Sequence, residues 1–205
     1  YVENPFTREA TFNYDKLREH VRLAQRIMDD IIDLELEKIE LIMQKIESDP
    51  ESEEVKGAEK HLWEKIYHKS RYGRRTGVGI TAEGDMIAAM GLKYGTPEAT
   101  YFSADIHKIV AVEAYRSSVQ MAKERGAFAI YDAEREKNNP FVNRIKSVDP
   151  ALYDEMVKYG RRNIACLTIA PTGTTSLMTQ TTSGIEPVFL PVHKRRRKVN
   201  PNDTN

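Results

Sequence analysis

Cysteine is almost absent from this chain of 205 residues: Cys166 stands alone. An internal disulfide is therefore impossible, and so is a metal site built on a cysteine cluster. Tryptophan also occurs once, and Lys+Arg 31 against Asp+Glu 31 leaves no net charge. Without a surplus of basic residues there is no general attraction to DNA or RNA. No run of about 18 apolar residues occurs, which excludes a helical membrane span. The first residues, Tyr1-Val2-Glu3-Asn4-Pro5, have neither the basic nor the apolar segment of a signal peptide. These absences predict a soluble protein of the reducing cytoplasm. The chain has no initiator Met and stops in Asn200-Pro-Asn-Asp-Thr-Asn205, so an excised piece of a longer protein is expected.

What is present is helical periodicity. Asn13 is a candidate N-cap for a helix running to about Glu47. Its apolar stripe Leu17, Val21, Ala24, Met28, Ile31 shifts by one residue to Ile32, Leu36, Ile39, Met43, Ile46. The shift predicts a bend, or a change of packing partner, near 31–33. Asp49-Pro50 is expected to open a second helix, with Pro at its first position, ending near Arg71-Tyr-Gly73. Residues 1–73 thus form a long helical segment, and the composition changes at 74–205. Thr76–Ala82, rich in glycine and β-branched residues, reads as a buried strand. A helix through Met86–Met90 ends at Gly91. Thr96-Pro97 opens another, to about Arg125, with Phe102, Ile106, Val110, Ala114 and Met121 on one face. Gly126–Ile130 is a weak strand candidate. Asp149-Pro150 caps a short helix ending before Gly160, and Ile164–Ile169 reads as a strand. Strands separated by long helices indicate an α/β fold in which helix dominates.

That last strand runs into Pro171-Thr172-Gly173-Thr174-Thr175-Ser176. Gly173 would let the backbone approach a ligand, and the N–H groups opening the next helix would point at an anion. Four hydroxyls in six residues add donors. The Lys and the Gly-x4-Gly spacing of a Walker A loop are missing. A Thr-rich turn whose hydroxyls cap a helix explains the same residues. Gly77-Val-Gly79 is no dinucleotide fingerprint, because position 82 is alanine; it reads as close packing of a glycine strand against a helix. His61, Glu64 and His68 can share a helix face but match no metal motif, and His20, His107 and His193 are isolated. Asp29, Asp30 and Asp33 read as a solvated charge cluster, and Lys194–Lys198 as a strand edge or subunit contact. Cys166, in an apolar strand, reads as an inert buried thiol.

Four segments occur in order: Arg74-Arg-Thr-Gly-Val-Gly-Ile-Thr-Ala-Glu-Gly-Asp85, Gly91-Leu-Lys-Tyr-Gly95, Ala170-Pro-Thr-Gly-Thr-Thr-Ser176 and Ser183-Gly-Ile-Glu-Pro187. Together they resemble the C-terminal half of the barrel of the ribonucleotide reductase large subunit, most like its adenosylcobalamin-dependent class. The resemblance spans nearly all of 1–205, although Glu35–Lys69 is longer and more charged than the usual connection. It implies a helix-rich fragment of a ten-stranded α/β barrel. It also implies reduction of a ribonucleoside di- or triphosphate to the 2′-deoxyribonucleotide by thiyl-radical chemistry. Thr172, Gly173, Thr174 and Thr175 would contact the substrate's phosphates, with Ser176 nearby and Gly184 and Glu186 in a supporting segment behind. The radical and redox cysteines, and the nucleotide effector sites, would lie outside this chain, so the piece alone would be inactive. Adenosylcobalamin as cofactor, a thioredoxin-like reductant and a homodimer are further implications. Two rival readings are the class of the same enzyme with a separate metal-containing radical subunit, and a non-catalytic helical interaction module.

Overall fold

The computed structural model describes residues 1–190, 192 and 194. A short antiparallel pair, β1 (Val2–Glu3) and β2 (Thr11–Phe12), leads into α1 (Tyr14–Ser48). The carbonyl oxygen of the Asn13 side chain accepts the Lys16 N–H at 3.0 Å, so the expected cap is in place. α2 (Glu53–Gly73) folds back against the second half of α1. α3 (Glu83–Ala89), α4 (Pro97–Arg125), α5 (Ala133–Glu136), α6 (Pro140–Val148), α7 (Pro150–Tyr159) and α8 (Gly173–Thr179) complete the order. Thr96 caps α4 with Pro97 in its first turn, as expected. Asp149 does the same for α7, and Gly160 ends it.

α1 runs unbroken from 14 to 48, and its packing partner changes along its length, one of the two outcomes that the shift of stripe predicts. Its first half packs along α4, where Arg26 pairs with Glu124 at 2.7 Å. Its second half packs along α2, where the Tyr67 hydroxyl donates to Glu40 at 2.8 Å. The buried line also differs from the expected stripe: Gln25 and Asp29 hold the core positions, while Ile31 is exposed. The second helix begins later than expected. Ser52 is its N-cap, and Asp49 instead closes α1, its N–H reaching Ile46 O and its carboxylate accepting from Lys45.

α4 is the central element. Beyond its expected apolar face it also buries Glu113, Tyr115, Ser117 and Ser118, because α1 and α7 cover it from different sides. Ile106, Val119 and Met121 are each at most 1% exposed. Burial of side chains of this size stabilises by about 1.5–3 kcal/mol apiece. Leu152 and Met156 of α7 and Val142 and Ile145 of α6 join the same core. Gly126–Ile130 forms no strand: Phe128 is buried and its N–H donates to Arg161 O at 3.0 Å. Arg161 is itself sealed among the rings of Tyr115, Phe128 and Tyr131, and its guanidinium donates to both carboxylate oxygens of Glu136 on α5.

The two expected strands, Thr76–Ala82 and Ile164–Ile169, lie side by side but shrink to one parallel bridge, Val78 with Leu167. Val78 N–H donates to Cys166 O and Thr168 N–H to Val78 O, a regular parallel step. Thr76 N–H then reaches Ala165 O rather than residue 164, so the register slips by one and the ladder stops. The glycines of this segment pack on the other extended segment, at Thr168, not on a helix. A Cβ on Gly79 would stand 2.7 Å from Thr168 O.

Candidate functional site

The loop that leaves the second extended segment turns at Thr172, whose φ of 44° is left-handed, a rare state for a β-branched residue. The turn is tied from behind. The Thr172 hydroxyl accepts the Gly184 N–H at 2.6 Å and lies 3.2 Å from the Thr81 hydroxyl. Ser176 is buried, donating to Gly173 O and lying 2.8 Å from the Ser183 hydroxyl. Gly173, Thr174 and Thr175 face outward, and a Cβ on Gly173 would meet nothing within 4 Å. No side chain caps this end of α8 among the described residues, so its first amides remain open. Gly184 is buried behind Thr172 at φ 47°, and exposed Glu186 turns a carboxylate oxygen over it.

The segment behind the loop is held by the start of α3. Ala82 N–H donates to Thr182 O at 3.1 Å and Glu83 N–H to Gly184 O at 3.2 Å. Thr182 N–H donates to the Asp85 carboxylate at 2.8 Å, and Asp85 N–H donates back to the Thr182 hydroxyl at 3.3 Å. Gly84 is forced by the same approach, since a Cβ there would stand 2.5 Å from Glu186 O.

His107 is not isolated. Its Nε2 lies 2.8 Å from buried Glu83, which also accepts from the Ser103 hydroxyl. Burial alone would raise the Glu83 carboxyl, but the bonds from His107 and Ser103 hold it below its ordinary value. The bond to Glu83 raises the His107 imidazole against the opposing effect of burial. A cavity of about 340 Å³ opens beside this pair, bordered by Tyr94, Thr100 and Ile185. The two residues are 24 positions apart, so only the packing of α3 on α4 joins them.

The acidic cluster on α1 is likewise not a solvated face. Asp29 is fully buried and receives the Arg74 Nε at 2.8 Å, the Asn163 side-chain amide at 2.8 Å and Arg162 at 3.2 Å. Burial pushes this carboxyl up, yet the Arg74 pairing outweighs it and holds it low. Arg74 also reaches Asp33 and the Asp29 carbonyl, which keeps it in a left-handed φ of 46° at the end of α2. Asp29, Asp30 and Asp33 are the one group among the described residues with metal-ligand spacing. Guanidinium groups already answer their charge: Arg125 pairs with Asp30 at 2.6 Å and Arg74 with Asp33 at 2.7 Å. His61, Glu64 and His68 are exposed along α2. Cys166 is 1% exposed and its thiol is pushed up to about 12 by burial, so it stays protonated and inert. Lys194 is exposed; the remainder of the basic block, 195–198, and His193 lie outside the described residues.

The ribonucleotide reductase barrel-domain model matches residues 2–203. The chain belongs to that family. Similar relatives include vitamin B12-dependent ribonucleoside-diphosphate reductases. That of Mycobacterium tuberculosis (strain CDC 1551 / Oshkosh) is 26% identical over 88% of this chain and 20% of its own length. That of Thermoplasma acidophilum is 30% identical over 86% of this chain and 18% of its own. A ribonucleoside-diphosphate reductase subunit alpha of Chlamydia pneumoniae is 27% identical over 89% of this chain and 17% of its own. The chain thus spans about a fifth of the length of these relatives. Among the described residues no helix is long and apolar enough to cross a membrane.

Proposed function

We propose that this chain is part of a ribonucleotide reductase acting in the cytoplasm, and that Thr172–Ser176 hold the phosphates of its ribonucleoside diphosphate substrate. One observation carries the reading. The turn is fastened from behind at Thr172 and Ser176 while the amides of Gly173, Thr174 and Thr175 and two hydroxyls stay open in front. Amides at a helix start, with hydroxyls beside them, suit phosphate oxygens without a lysine. The balanced charge of the chain agrees, since one nucleotide would then be gripped locally rather than drawn by a general excess of basic residues.

The reduction itself belongs to residues outside this chain. Cys166 is the single cysteine and cannot make a redox pair by itself, and by the family resemblance it matches neither that pair nor the radical-bearing thiol, which are assigned to other parts of the protein. Adenosylcobalamin is the proposed cofactor of the full-length enzyme, on the similarity to relatives named vitamin B12-dependent reductases. A thioredoxin-like reductant and a homodimer complete the proposed assembly, with 1–73 and 74–205 as consecutive parts of one barrel. The class with a separate radical subunit is the second reading, supported by a similarity to the Chlamydia pneumoniae subunit alpha comparable to that to the vitamin B12-dependent relatives. Turnover of the full-length enzyme with and without adenosylcobalamin decides between the two.

The loop is tested in the full-length enzyme with Thr174→Leu and Thr175→Leu. Losing a charge-assisted bond to phosphate should raise KM for the ribonucleoside diphosphate by about tenfold or more. A wild-type KM in both variants removes the loop from the substrate site.

A further inference from the structure

We propose that Asp85 is a positioning residue for the Thr172–Ser176 loop, acting through a helix cap that it shares with Thr182. The inference rests on the reading of that loop as the substrate-phosphate site and goes beyond it by naming what holds the loop in shape.

α3 begins without a side-chain cap of its own. Its N-cap position is Ala82, left-handed at φ 66°, and alanine has nothing to offer the open amides. Thr182, about a hundred residues further along the chain, supplies what is missing. Its hydroxyl accepts the N–H of Asp85, the third helical residue, as a Ser or Thr at the N-cap would. The Asp85 carboxylate returns the bond by accepting the Thr182 N–H. This is the reciprocal pattern of a capping box, divided between two segments of the chain. A capping box normally steadies one helix start. Divided, it fastens whatever carries the second half.

Here the second half carries the loop. Thr182 is followed by Ser183 and Gly184, whose hydroxyl and N–H are the groups that reach Ser176 and Thr172. Gly184 O in turn accepts the Glu83 N–H, so residues 182–184 are bonded to α3 on one side and to the loop on the other. The left-handed Thr172 would relax toward commoner backbone angles if Gly184 moved away. Asp85 thus acts on the loop through three consecutive residues and touches none of its open amides.

The experiment uses the full-length enzyme with Asp85→Ala, Asp85→Asn, Thr182→Val and Thr182→Ser, measured beside Thr174→Leu and Thr175→Leu. Asp85→Ala and Thr182→Val should raise KM for the ribonucleoside diphosphate about tenfold with kcat within about twofold, because the loop loses its shape but the reacting groups remain. Asp85→Asn and Thr182→Ser keep the acceptor and the hydroxyl, and should return KM to within about twofold of wild type. Rescue by the uncharged Asn separates positioning from any direct part for the carboxylate's charge. If Asp85→Ala does not fold, Thr182→Val with its Ser rescue carries the test alone. A wild-type KM in Thr182→Val and in any folded Asp85→Ala, with KM raised in the two loop variants, overturns the inference and leaves the loop reading standing. A wild-type KM in all of them overturns both.

Discussion

Around Asp29 the protein buries charge; around Thr182 it uses almost none. The first network joins α1, the end of α2, Asn163 and Ser118 through a fully buried carboxylate, three guanidinium groups and two side-chain amides. The second joins α3, the segment 182–184 and the loop 172–176 through hydroxyls, backbone groups and the single carboxylate of Asp85. The difference follows from what each must do. Charges taken out of water are costly unless every partner is present, so the Asp29 network tolerates one arrangement only and anchors the helices. Hydroxyls and amides cost little when half exposed, which suits a loop whose first amides stay open, as the proposed phosphate site requires. The Asp29 network is made rigid by charge; the 172–176 loop is shaped by neutral bonds that tie it from behind.

The most direct way to break the comparison is Asp29→Ala. Arg74 and Asn163 would be left buried without their acceptor, and the cost should be about 3–5 kcal/mol. Denaturation of the full-length protein, with hydrogen exchange followed at the amides of α1, reads this out. A loss below about 1 kcal/mol would mean that water replaces the carboxylate and that the anchor is not one. Next in size is Gly84→Ala at the other network. A Cβ 2.5 Å from Glu186 O forces the 182–187 segment away, at about 1–3 kcal/mol. Exchange should quicken at Glu83 and Gly184 while the α1 amides keep wild-type protection. Equal loosening of both would show the two networks to be one.

The smallest effect separates them by pH. His107 is raised by Glu83, so their pairing is fully present below the ordinary imidazole value of 6.5 and fades as pH rises through the raised one. Glu83 is lowered, so the pairing also fades as pH falls through a value below 4.5. The contribution is greatest between these limits and should stay under about 1 kcal/mol, because a third of the His107 side chain is exposed. The Asp29 network has only arginines as cationic partners and weakens only in acid, below the ordinary aspartate value of 3.8. Stability of the wild type should therefore decline slightly from pH 6 to pH 8, and the decline should vanish in His107→Gln. Persistence of the slope in that variant assigns it to another group.

Much of the helical fold is legible in the chain because its causes are local. Asn13, Thr96-Pro97 and Asp149-Pro150 announce their helices through bonds made within three residues. Asp49-Pro50 misleads for the same reason: Ser52 makes an equally good cap three residues later, and Asp49 then serves the helix before it. The strands were legible as extended segments but not as a ladder, since the one-residue slip between Thr76 and Ala165 depends on how the two segments meet. Within the loop, glycine and hydroxyl content drew attention to Thr172–Ser176. Which hydroxyls are tied back and which stay open depended on Gly184 and Ser183.

Composition and local pattern by themselves determined the helix boundaries at Asn13, Thr96 and Asp149, the inert setting of the single cysteine and, through four ordered motifs, the family. Tertiary structure decided the bonding partners of Asp29, Glu83, His107 and Asp85. A carboxylate looks the same in sequence whether it faces water or a guanidinium. Only the packing of α1 and α4 against residues 161–163, and of α3 against 182–184, brings its partner within reach and removes the water that would otherwise screen the pair.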